Sequence, residues 1–175
     1  PWFMQANFVC PHSPWDVTDA MHDWYRDPDV EFPDPVATHD PDEGLTPEEH
    51  QDIRRNYAAM VENIDRWLGQ FLEILEDRGE REQTIVVFAS DHGEMLGDHG
   101  TWHKRHPYRP SVGVPLVISG PGVENRGLTE VPRRRSIYTR RSATMSASNR
   151  ITTRVYPCGR SSKAVMTVAT WSSRG

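Results

Sequence analysis

The chain has 175 residues, a formal net charge of -5 and 36% hydrophobic residues. That length fits one domain core, or one large piece of a bigger domain, and excludes an array of several. The mildly acidic balance gives no global field that favours nucleic acid, and no run of about 18 apolar residues is present for a membrane span.

In chain order, "WFMQANFV" near the start reads as a strand. The opening "PWFMQANFVC" has no basic n-region or cleavage signature and begins abruptly on that strand, which leads us to expect a missing upstream part. Cys10 and Cys158 lie far apart with no C-x-x-C spacing, so neither a disulfide framework nor a zinc finger is suggested. From Asp16 to Gly44 runs a Pro- and Asp-rich connector, with too many prolines for a long helix or a central strand. It is expected to wrap the surface. A helix is predicted next, with Thr46 as N-cap, Pro47 at the first helical position and Glu49 completing a T-x-x-E capping box. Its apolar residues, including Tyr57, Met60, Ile64, Leu68, Phe71 and Leu75, recur at three- and four-residue steps, and Gly79 stands where a left-handed residue closes a helix. That stripe reads as core packing.

"TIVVFAS", residues 84–90, is short, β-branched and apolar on both faces, as expected of a strand covered on both sides in a parallel sheet. The following stretch to Lys104, "DHGEMLGDHGTWHK", crowds three histidines, three acids and a lysine behind it. A second such strand, "VPLVIS" at 114–119, runs into the turn signal Gly120-Pro121-Gly122. Beyond Glu130 there is no acid at all; Arg, Ser and Thr dominate, with little helical or strand periodicity.

In open α/β sheets, ligands bind at the carboxyl ends of the strands, where loops free of the ladder converge. Asp91 and His92 stand at that end of "TIVVFAS", and His12 at the equivalent end of "WFMQANFV". A metal site is the sharper reading of the Asp-His-Gly segment; an Asx-type turn closed by Gly93 is the plainer one. Asp98 and His99 read as loop-ordering residues, His103 and His106 as a rim beside Lys104, and His22, His39 and His50 as solvent-facing.

The ordered series "FVCPHSPWD", "YAAMVENIDRWLGQFLEIL", "TIVVFASDHGEMLGDHGTWHKRHPY" and "VPLVISGPG" resembles the C-terminal part of the main domain of sulfatases, members of the alkaline phosphatase superfamily. The resemblance runs from Pro1 to about Val123. It implies an α/β fold with a mostly parallel sheet and flanking helices, present here as an incomplete fragment. Carried over by position, Asp91 and His92 fall on a pair of metal ligands, Lys104 on the lysine that contacts the sulfate ester oxygens, and His12 on the histidine near the leaving-group oxygen. The implied function is metal-dependent hydrolysis of a small-molecule or glycan sulfate ester. The alternatives are a phosphonate monoester or phosphodiester hydrolase of the same superfamily, or an inactive fragment. One divalent ion is implied: Ca2+ through the family, with Mn2+ as the alternative because His92 offers nitrogen where some relatives have Asn.

The departures are also specific. The resembled enzymes convert the first residue of C-x-P-x-R or S-x-P-x-R into a formylglycine nucleophile; Cys10 and Cys158 fit neither pattern, so the nucleophile is expected in the missing upstream part. Arg109 and Gly113 stand where relatives often carry Glu and Arg. Residues 1–125 therefore read as a partial sulfatase-like catalytic domain, and residues 126–175 as a basic Ser/Thr/Arg-rich tail, either out of frame from about Arg133, disordered, or an ordinary basic interaction tail.

Overall fold

The computed structural model describes residues 2–23, 32–33, 35–36, 44–124, 151–156 and 164–170. Its strands are β1 (Phe3–Phe8), β2 (Thr84–Ser90), β3 (Leu116–Ser119), β4 (Ile151–Tyr156) and β5 (Ala164–Thr170). Its helices are α1 (Asp19–Asp23), α2 (Pro47–Asp77) and α3 (Arg109–Val112). Among the described residues no helix is long and apolar enough to cross a membrane.

Local signals account for α2. The Thr46 hydroxyl accepts from the Glu49 amide at 3.2 Å while the Glu49 carboxylate accepts from the Thr46 amide at 2.7 Å, so the predicted capping box is formed. At the other end Gly79 takes φ +63, its amide donates to the Glu76 carbonyl at 2.8 Å, and the Glu80 amide reaches back to the Leu75 carbonyl at 2.9 Å. These two bonds satisfy carbonyls that the helix itself leaves open. The inward stripe then packs on the sheet: Met60, Ile64 and Leu75 share one core with Ala6 and Phe8 of β1 and Val86 of β2. Each of these side chains larger than alanine contributes roughly 1.5–3 kcal/mol by leaving water. Cys10, 2% exposed, belongs to the same core and is disulfide-bonded, a cross-link that cysteine spacing did not announce.

The sheet order is β3-β2-β5-β1-β4. The α/β character is as expected, but the mostly parallel sheet is not. Only β1 and β4 pair in parallel, while β1–β5, β2–β5 and β2–β3 are antiparallel. The reason is that β5, from the segment read as a tail without strand periodicity, runs between β1 and β2 in the opposite direction. Its sequence "AVMTVAT" is apolar and β-branched enough to take that place. The apolar run of β3 is not covered on both faces either. Leu116, Val117 and Ile118 are 43%, 57% and 41% exposed on an edge strand that pairs only with β2 among the described residues.

One consequence of the β5 insertion matters for the site. Phe8 and Ser90 both register with Ala164, so β1 and β2 point the same way and end level with each other. The loops that follow them leave the sheet at one edge.

Candidate active site

The loop after β1 carries His12 to that edge, and the loop after β2 carries Asp91 and His92. The rings of His12 and His92 meet edge to face with centroids 6.0 Å apart, across 80 residues of chain. Both histidines and Asp91 line a cleft of about 610 Å3, together with Phe88, Ile64 and Leu68.

Hydrogen bonds orient each imidazole. His92 Nδ1 lies 2.7 Å from the Gly93 carbonyl, and a carbonyl oxygen can only accept. Nδ1 therefore carries the proton, and Nε2 presents its lone pair, 3.8 Å from Asp91 Oδ1. Lys104 reaches in from the far end of the loop and places Nζ 2.6 Å from that Nε2. His12 is held in the same manner, with Nδ1 donating to the Ser13 carbonyl at 2.7 Å. All four residues singled out in the sequence thus belong to one cluster.

The loop between Asp91 and Lys104 is ordered largely by its own backbone. The Met95 amide donates to the His103 carbonyl at 3.0 Å and the Gly97 amide to the Thr101 carbonyl at 3.0 Å. Asp98 accepts from the Val36 amide at 3.0 Å and pairs with Arg54 at 3.2 Å, which fastens the loop both to the connector and to α2. His99, at φ +56, stacks on Tyr108 with centroids 4.3 Å apart. Asp98 and His99 order the loop, as their spacing suggests. Two other histidines depart from expectation. His103 stacks between His12 and Trp15, at 6.0 and 5.9 Å, so it belongs to the cluster and not merely to its rim. His50, read as solvent-facing, is 7% exposed because Trp102 covers it with parallel rings 5.3 Å apart. His39 lies outside the described residues.

Gly93 has a steric reason that the turn signal did not reveal. Its amide donates to the Ser111 carbonyl at 2.7 Å, and a Cβ there would stand 1.8 Å from the Pro110 carbonyl oxygen of α3. Gly93→Ala should therefore push the Asp91–His92 segment away from α3 and cost about 1–3 kcal/mol of stability. Thermal unfolding checks this, and an unchanged melting temperature would show that α3 is not a fixed wall.

Glu94 is the site residue that sequence reasoning passed over. It is 9% exposed, and its Oε1 accepts from the backbone amide of His103 and, at 3.4 Å, from that of Leu96. Tyr57 of α2 is close enough to feel this charge: burial pushes its phenol up to about 12, and the Glu94 carboxylate adds to the shift. The phenol stays neutral through the physiological range. No periodicity marks a buried carboxylate of this kind; its place next to an Asp-His-Gly segment is the sole sequence signal.

Among the described residues no three His, Cys, Asp or Glu side chains come together as a cation site. Asp91 and His92 alone supply an oxygen and a nitrogen on one side.

The sequence model of the sulfatase family matches residues 1–155. An arylsulfatase of Clostridium perfringens is 33% identical over 137 residues, which cover 70% of this chain and 28% of that protein. A choline-sulfatase of Rhizobium meliloti is 30% identical over 139 residues, covering 70% and 27%. Among solved structures, a phosphonate monoester hydrolase of Agrobacterium radiobacter is 38% identical with a TM-score of 0.44, over 45% of this chain and 16% of that one. The chain thus spans 28% and 27% of the length of the two curated relatives.

Proposed function

The chain belongs to the sulfatase family of the alkaline phosphatase superfamily, and on that premise we propose that it is part of a metal-dependent hydrolase acting on sulfate esters. The observation that carries this reading is the contact between Lys104 Nζ and His92 Nε2 at 2.6 Å, beside Asp91 and His12. A sulfate ester is an anion, and a group that attacks it needs positive charge on the ester oxygens.

Asp91 and His92 fit half of a cation site. The Gly93 carbonyl fixes the His92 tautomer, so that Nε2 and Asp91 Oδ1 face the same space, as ligating imidazoles require. An oxygen and an imidazole nitrogen accept Ca2+ or Mn2+; further ligands would come from parts of the enzyme outside these residues. A bound divalent ion would supply charge neutralisation at the ester oxygens. Formylglycine would supply the nucleophile, and neither C-x-P-x-R nor S-x-P-x-R occurs in these 175 residues.

The remaining roles are carried by the chain itself. Lys104 brings a compact charge with three donors, suited to oxygens that gain charge as the ester bond breaks. His92 Nε2 has one lone pair, so a cation bound there and the Lys104 ammonium exclude each other from it; the lysine is then available to the anion. His12, with Nδ1 committed to the Ser13 carbonyl, holds a transferable proton at Nε2 when charged and can deliver it to the departing alkoxide.

The test is the full-length enzyme assayed on an aryl sulfate, an aryl phosphodiester and an aryl phosphonate. Preference for the sulfate in kcat/KM is expected. Preference for the phosphonate or a phosphodiester would replace this reading with the other activity of the superfamily, and no turnover of any of them would overturn both.

A further inference from the structure

We propose that Glu94 is a positioning residue whose buried carboxylate sets the backbone of His103 and thereby aims Lys104 at the cleft. The proposal rests on the reading of Lys104 as the group that meets the ester.

Three observations converge on one peptide unit. The Glu94 side chain is 5% exposed, and burying a carboxylate is unfavourable unless hydrogen bonds replace its water. Those bonds come from the loop that carries Lys104: Glu94 Oε1 accepts from the His103 amide and from the Leu96 amide at 3.4 Å, while Oε2 lies 3.9 Å from His103 Nδ1. Next, His103 has φ +66, a left-handed conformation that residues other than glycine adopt rarely. Such a conformation persists where the surroundings over-determine it. Here the amide is held by Glu94 and the carbonyl by the Met95 amide at 3.0 Å, with Met95 itself fully buried. Finally, the residue directly after this turn is Lys104, whose Nζ comes to 2.6 Å from His92 Nε2. An extended φ at His103 would send the lysine elsewhere. The carboxylate at the start of the loop therefore decides where the ammonium at its end points.

Glu94→Ala and Glu94→Gln should be made in the full-length enzyme, each alone and combined with Lys104→Ala, with kcat/KM on an aryl sulfate and melting temperature measured for all. Glu94→Ala alone should lose about tenfold to a hundredfold in kcat/KM, the scale at which partners behind a binding group act. Glu94→Gln keeps an acceptor for the His103 amide without the charge and should lose about threefold to tenfold, since charge-assisted bonds are the stronger kind. In the Lys104→Ala background both should lose less than about twofold, because the group they aim is gone. Equal losses in the two backgrounds would overturn the positioning role and leave Glu94 a structural residue. If Glu94→Ala does not fold, the glutamine cycle decides alone. Should the wild-type enzyme turn over no ester, the functional reading has failed, and calorimetric binding of inorganic sulfate to the same proteins decides the positioning role. Weakening by Glu94→Gln that requires Lys104 upholds it, and absence of that dependence overturns it.

Discussion

Lys104→Ala in the full-length enzyme is expected to lower kcat/KM by about a hundredfold to a thousandfold while leaving the melting temperature almost unmoved. The first half follows from the role of the ammonium: a charge-stabilising donor at a reacting oxygen contributes roughly 2.7–4 kcal/mol to the transition state. The second half follows from exposure, since a solvent-facing lysine changes stability by no more than about 0.5 kcal/mol. Among the described residues Lys104 meets His92 Nε2, at 2.6 Å, and that nitrogen is also where the expected cation would bind. Arginine should rescue little, because a broad planar fork does not reproduce a point charge at the same distance. Near-normal turnover by Lys104→Ala at an unchanged melting temperature would show that the lysine does not meet the substrate.

Asp91→Ala should remove both the bound ion and the activity. A cation that polarises the ester is worth several kcal/mol, which corresponds to a loss of at least about a hundredfold. Metal analysis of the full-length protein should find one divalent ion in the wild type and much less than one in the variant. Chelation should reproduce the loss in the wild type, and Ca2+ or Mn2+ should reverse it; whichever restores the higher turnover identifies the working ion. Full metal occupancy and activity in both Asp91→Ala and His92→Ala would remove these residues from the cation site. Loss of activity with retained metal in Asp91→Ala would instead make Asp91 a partner of His92, 3.8 Å away, and not a ligand.

Helix α2 was legible residue by residue, because a capping box, a 3.6-residue stripe and a closing glycine act over a few positions of chain. The three N-terminal strands were legible for a related reason: short β-branched apolar runs between turn signals have few other ways to bury themselves. Asp91, His92, Lys104 and His12 stand out in the sequence as chemistry-bearing residues in an ordered series of segments, and the fold brings them near one another.

Direction, burial and backbone conformation were decided only in three dimensions. An apolar run is equally content beside a parallel or an antiparallel neighbour, so nothing in "TIVVFAS" or "VPLVIS" could report that β5 would separate β1 from β2 or that β3 would lie exposed at an edge. His50 was covered by Trp102, more than fifty residues away, and a polar flanking sequence carries no trace of so distant a partner. Gly93 answers to the Pro110 carbonyl and not to its own turn. Glu94 looked like one more acid on a loop until the His103 amide was found on its carboxylate. By itself the sequence determined helix α2, the strands β1 to β3 and the chemistry-bearing side chains of His12, Asp91, His92 and Lys104, since these are properties of a residue and its near neighbours; it did not announce β4, β5 or the burial of Glu94. The tertiary structure alone decided that His12 meets His92 and where Lys104 points, because those depend on a shared strand register and on one buried carboxylate.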